Sequence, residues 1–281
     1  MNIKKLFFDR INYFISLPAI LWEVIFLWVP FLIVIIASIY SRSFGFTSRF
    51  YLELFTGAHV RIILRSLLLA VFNAFFCLLA AYPLCYFIAF RGGRWKNILV
   101  FLFTLPFWVN FLVHVYSWFF ILDRNGLLNK LLLSLHIIKE PLHLMNTIIA
   151  VALVMFYAYL PFMILPIYII FEKFDMRLIE ASMDLGANKR ETFWRVTFPL
   201  TLSGAKLGFF LVLGMSFGEY IIPQLLNGGR FFFVGTLISE YFLVSRDFSV
   251  GSAFTCLNAL IVIVVMAICL LLFRLIKRGV K

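Results

Sequence analysis

The stretch from Arg177 to Gly204 reads RLIEASMDLGANKRETFWRVTFPLTLSG, and its charge density is unlike that of the chain around it. Leu178, Ser182 and Leu185 recur at i, i+4 and i+7, so a short helix here presents one semi-apolar face. Gly186 supplies the backbone freedom for a sharp turn. Asn188, with Glu191 three residues on, reads as the capping box of a second short helix. That helix carries Phe193, Trp194 and Val196, and Pro199 is expected to end it. The product is a helix–turn–helix, polar on one side and aromatic on the other. On one side of it the chain runs without a formal charge from Pro141 to Phe171. On the other it runs from Leu207 to about Leu226, interrupted by Glu219. A polar loop held between two membrane-length apolar runs is the pattern of a multi-span membrane protein.

The rest of the chain agrees. Of its 281 residues, 64% are hydrophobic and 36 are Phe, against roughly 45–50% apolar in an ordinary soluble domain. Mean hydropathy is +1.03. A soluble fold of this size has too little interior to hide that surface, and a disordered chain would be poor in aromatics. Four more segments can cross a bilayer: about Val24 to Tyr40, Ser66 to Phe90, Asn97 to Leu122 and Phe248 to Phe273. The expected fold is therefore an all-α integral membrane protein with six transmembrane helices. It forms one domain over residues 1–281, with the charged loop at about 172–206.

The formal charge of +12 could suggest nucleic acid. The basic residues lie in short clusters between apolar runs, which marks topology determinants instead, with no nucleic-acid partner. Lys4, Lys5 and Arg10, then Arg91, Arg94 and Lys96, then the charged loop, then Arg274, Lys277, Arg278 and Lys281 fall on one side. Arg42, Arg49, Arg61 and Arg65, with Arg124, Lys130, Lys139, Arg230 and Arg246, are fewer and fall on the other. The positive-inside rule places both termini and the charged loop in the cytoplasm. Cys77, Cys85, Cys256 and Cys269 all lie in apolar stretches, so neither a disulfide nor a metal site is expected.

Periodicity alone leaves the loop two readings: an amphipathic connector resting on headgroups, or a helix that docks in a groove on a soluble partner. Glu180-Ala181-Ser182, three residues, Gly186-Ala187, then Pro199 resembles the EAA loop of ABC importer permeases, with Ser182 for the second Ala. Leu105 to Trp118 (LPFWVNFLVHVYSW), with Asn125 to Asn129, is similar to the third-span region of polyamine permeases in that family. Gly218 to Leu226 (GEYIIPQLL), with Gly228 and Gly229, is similar to the same subfamily. The resemblance implies a type I importer transmembrane domain in the bacterial inner membrane, one of two membrane subunits of a spermidine/putrescine importer. It implies that Glu180, Ala181, Ser182, Gly186 and Ala187 dock on a dimeric cytoplasmic ATPase. A second, different permease subunit and an extracytoplasmic binding protein complete the expected partners. A family member with another cargo, such as ferric iron or phosphonate, and a stand-alone channel or secondary transporter are the alternatives.

Glu219 is an acidic residue inside an expected span, where an ionisable group is expensive. It is either hydrated near the outer headgroups or a carboxylate that attracts the ammonium groups of a polycation. Trp108, Tyr116, Trp118 and Tyr220 are aromatic candidates for the same pathway, or interface anchors. His114 reads as a neutral, hydrogen-bonded residue of the bundle, and Pro83, Pro106, Pro161, Pro166 and Pro223 as kinks. The sequence contains no G-x-x-x-x-G-K-[ST] loop and no H-E-x-x-H pair. The expected chain is thus not an enzyme and binds no cofactor, with ATP used by a separate subunit.

Overall fold

The computed structural model describes residues 17–41, 45–55 and 57–279, with side chains to 275. Lys4, Lys5, Arg10, Arg42 and Lys281 lie outside the described residues, as do the side chains of Lys277 and Arg278. The chain divides into two units, residues 1–57 with 240–260 and residues 58–239 with 261–281.

In the first unit, α1 (Leu17–Ile39) contains one π turn at Val24–Trp28. Its large side chains are exposed, which is tolerable for an all-apolar helix only where lipid is the solvent. Two strands of two residues each follow, β1 (Tyr40–Ser41) antiparallel to β2 (Gly45–Phe46), then the short α2 (Arg49–Glu53). The Tyr51 hydroxyl donates to Ser38 Oγ at 2.8 Å, which ties α2 back to α1.

The second unit is built on α3 (Gly57–Arg91), α7 (Ile148–Glu172) and α9 (Lys189–Phe217). Between α3 and α7 lie α4 (Lys96–Thr104), α5 (Phe111–Leu122) and α6 (Leu127–Ser134). After α7 comes α8 (Arg177–Asp184), and after α9 come α10 (Ile221–Leu226) and α11 (Val234–Ser239). The last helix, α12, runs from Phe248 to Gly279. Among the described residues, five helices are long and apolar enough to cross a membrane, or six with one bent pair counted as a span.

α7 and α9 pack most closely, because α9 carries Gly204 and Gly208 four residues apart on one face. A Cβ at Gly204 would stand 2.6 Å from the Pro166 carbonyl oxygen, and one at Gly208 2.8 Å from Met163 Sδ. α3 is fastened to α9 by polar pairs: Asn73 Nδ2 donates to Ser216 Oγ at 2.8 Å, and the Tyr82 and Thr201 hydroxyls lie 2.7 Å apart. Such bonds hold helices together where apolar attraction between them is matched by lipid.

Two expected spans are corrected. The third does not run straight from Asn97 to Leu122, for the helices Gly93–Trp108 and Phe111–Ser134 meet at 95°. Pro106 supplies no amide to the helix before it, and Asn110 restarts the next one by accepting from Leu112 N at 2.9 Å. The fifth span begins at Lys189 rather than Leu207 and ends at Phe217, so Glu219 lies beyond it. Pro199 does not end a short helix, because a π turn at Phe193–Thr197 widens the preceding backbone and the helix continues.

Candidate functional site

The loop between α7 and α9 is a rigid corner. Asp175 Oδ1 accepts from Arg177 N at 3.0 Å and starts α8. α8 closes when Leu185 N donates to Ala181 O, Gly186 N to Met183 O and Ala187 N to Ser182 O, at 3.1, 2.9 and 3.1 Å. Gly186 has φ +88°, with nothing within 4 Å of where a Cβ would sit. Glycine is therefore required there by the backbone and not by space. Asn188 Oδ1 accepts from Arg190 N and Glu191 N, each at 3.0 Å, and Glu191 Oε2 accepts from Asn188 N at 2.9 Å. This is the expected capping box, and it opens the long span α9 rather than a separate short helix.

Across the corner, Ser182 Oγ and Thr192 Oγ1 lie 3.1 Å apart and join α8 to the first turn of α9. Glu180 and Ala181 are exposed, while Ser182 and Ala187 are half-buried. Leu185 is 89% exposed, with Leu178 and Met183 also outward. The inner side is anchored by Phe193, whose ring meets Tyr82 and Tyr86 edge-on at 6.1 and 6.0 Å. Phe171 meets the same two tyrosines at 5.4 and 6.0 Å. Such edge-to-face contacts each add about 0.5–1.5 kcal/mol beyond area burial. The loop thus holds an apolar knob outward and is fixed to α3, α7 and α9 behind it.

Glu219 is buried, not hydrated. Its Oε1 accepts from Ile221 N at 2.8 Å and Ile222 N at 3.1 Å, while Oε2 accepts from the Tyr159 hydroxyl of α7. The carboxylate therefore caps α10 and ties it to α7. Sequence reasoning missed Tyr159, a tyrosine in an apolar run with nothing to distinguish it. The cap itself had a signal in Pro223, which fits the first turn of a helix.

Tyr220 follows Glu219 and is half-exposed, and α10 packs against both α5 and α7. Tyr116 on α5 is 47% exposed, and Trp108, just before the break, is 81% exposed. Trp118 meets Tyr157 edge-on at 5.2 Å. Tyr157 in turn places its hydroxyl 3.2 Å from His114 Nδ1, whose Nε2 is buried without a partner among the described residues. No group of three His, Cys, Asp or Glu among the described residues could hold a metal ion.

Apolar spans joined by a short surface corner define a multi-span integral membrane protein. The profile of the family described as "Binding-protein-dependent transport system inner membrane component" matches residues 81–281, and the chain belongs to that family. Among its relatives is the spermidine/putrescine transport system permease protein PotB of Haemophilus influenzae. That protein is 36% identical over 253 residues, 86% of this chain and 88% of the relative. PotB of Escherichia coli is 33% identical over 270 residues, 92% and 97% of the two chains. The inner membrane ABC transporter permease protein YdcU of Escherichia coli is 29% identical over 92% of this chain and 83% of its own. In fold, the chain is similar to a subunit of a bacterial ABC transporter that imports alginate. The TM-score is 0.76 at 16% identity, over 99% of this chain and 98% of that one. Membership in a binding-protein-dependent family sets aside the stand-alone channel or secondary transporter.

Proposed function

We propose that this chain is the non-catalytic permease subunit of an ATP-driven importer and forms half of the translocation path for spermidine and putrescine. The observation that carries the coupling role is the corner itself: Leu185 held outward at 89% exposure on a turn locked by Gly186 and the Asn188–Glu191 capping box. A rigid projection with an apolar tip suits insertion into a groove on a soluble partner. Glu180, Ala181, Ser182, Gly186 and Ala187 form the docking element for a cytoplasmic ATPase dimer. Both termini are cytoplasmic, and the whole chain works as one permease domain. A second, PotC-like permease completes the path, and an extracytoplasmic binding protein delivers cargo. The cargo reading rests on the relatives named for spermidine and putrescine.

Nucleotide-driven closure of the ATPases displaces the corners, and the spans fixed behind them switch access from one side to the other. Trp108, Tyr116, Trp118 and Tyr220 offer ring faces to a polycation, at roughly 0.5–2 kcal/mol per well-placed face. Glu219, its oxygens already engaged, contributes negative potential to that path rather than a direct ligand.

The test is spermidine uptake into proteoliposomes holding this chain with the second permease, the ATPase and the binding protein, with and without ATP. ATP-dependent uptake that disappears in Leu185→Asp supports both halves of the proposal. ATP hydrolysis stimulated by the binding protein without spermidine movement would leave the coupling role standing and overturn the cargo. An ATPase that never associates overturns the coupling role.

A further inference from the structure

Outside the loop and the proposed path, the outward side of α3 and α7 carries a groove of about 580 Å³. Its walls are apolar: Leu69, Phe72 and Phe76 from α3, with Ile149, Leu153 and Phe156 from α7. Phe72 and Ile149 are about three-fifths exposed, so the groove faces outward. Its one charged lining residue is Arg65. Arg65 sits at one end of the wall, and Arg61 lies one turn further out on the same helix face. Neither arginine joins an ion pair among the described residues. Arg65 is oriented by the ring of Phe231, whose centroid lies 4.7 Å from its Cζ. From Arg65 to Phe76 the helix rises about 16 Å, which is about half of a hydrocarbon core.

We propose that this groove binds one anionic phospholipid, its phosphate on Arg65 and Arg61 and an acyl chain along the phenylalanines. Two uncompensated guanidiniums one turn apart at the rim call for an anion, and guanidinium matches phosphate oxygens in a two-pronged geometry. The strip below is apolar but for Asn73, which is already bonded to Ser216. It runs the depth of one leaflet, which suits an acyl chain and excludes a free phosphate as the whole ligand. A protein segment would leave both arginines without a counter-charge unless it brought a carboxylate to the same level. The lipid holds the outward faces of α3 and α7 together beside Asn73, which lines the groove and bonds Ser216. The proposal needs only the membrane placement of the helices and is independent of the cargo.

The test uses the 281-residue chain purified in detergent, offered equimolar phosphatidylglycerol and phosphatidylcholine with the same acyl chains and weighed by native mass spectrometry. Wild type retains phosphatidylglycerol in preference. Arg65→Gln lowers that retention about fivefold, and Arg61→Gln with it by a similar further factor. Arg65→Lys keeps most of it, and Ala152→Trp, which fills the groove, lowers retention of both lipids. Equal retention of the two lipids by wild type overturns the proposal without any variant being needed. Wild-type preference in a folded Arg65→Gln chain also overturns it. So does an efficient cross-link from Leu68→Cys to a partner permease, which would assign the groove to protein.

Discussion

Replacing Glu219 with Ala removes the single acceptor that three donors share: the amides of Ile221 and Ile222 and the hydroxyl of Tyr159. Ile222 is fully buried and Tyr159 nearly so, so water does not readily replace the carboxylate. An unsatisfied buried donor costs about 1–3 kcal/mol, which puts Glu219→Ala at about 3 kcal/mol or more. Glu219→Gln keeps an oxygen for the two amides and turns an NH2 toward a hydroxyl that can accept. It loses only the charge assistance, about 1 kcal/mol per bond and about 2–3 kcal/mol together. Tyr159→Phe removes one donor with its hydroxyl and costs about 1–2 kcal/mol. Since the two side chains touch, the double variant falls short of the sum by about 1 kcal/mol. The assay is denaturant unfolding in detergent micelles, followed by the fluorescence of the six tryptophans. Wild-type unfolding of Glu219→Ala would refute the capping role. Wild-type unfolding together with lost uptake would instead make Glu219 a direct ligand of the cargo.

Gly186→Ala forces a side chain into φ +88°, at a cost of about 1–2 kcal/mol; ATPase association should weaken while unfolding of the spans shifts little, as read by pull-down and thermal scan. Asn188→Ala deletes the acceptor of two amides at the start of α9 and should cost about 1 kcal/mol, measured by the same unfolding assay. Gly204→Val drives a side chain into the Pro166 carbonyl and should lower stability by about 1–3 kcal/mol, with Gly204→Ala less severe. Equal stability of Gly204→Val and wild type would show that α7 and α9 can separate at no cost.

The sequence made the corner legible because its determinants are local. A glycine at a left-handed position and a side chain capping an amide three residues on are both written within a few residues. The spans were legible in number, since length and apolarity are what the bilayer demands. Their ends were less so. Arg190, Arg195 and Lys206 interrupt the apolar run, yet the backbone of α9 passes through them, because helix continuity depends on backbone bonds rather than hydropathy. Pro199 looked like a terminator, and only the π turn ahead of it shows how the helix survives. The break at Val109–Asn110 follows from Pro106 and the Asn110 cap acting together, where either alone reads as a mild kink. Tyr159 was invisible because its partner lies sixty residues away in sequence. The Gly204 and Gly208 pair carried a signal in its spacing of four, the same that brings helices close in any membrane.

That α9 begins inside the corner gives it the mechanics of a lever. The capping box and the span belong to one helix from Lys189 to Phe217, with a length of about 43 Å. Its fulcrum is where Gly204 and Gly208 press on α7, about 25 Å from the Lys189 end. A tilt of about 5° at that fulcrum moves the Lys189 end by about 2 Å, and the Phe217 end by somewhat less in the opposite direction. The five-residue π turn at Phe193–Thr197 is the one place along the lever where the regular ladder is already interrupted. A push on the corner therefore reaches the far end of the span with its sign reversed, and the stiffness of that single turn sets how much of the stroke arrives.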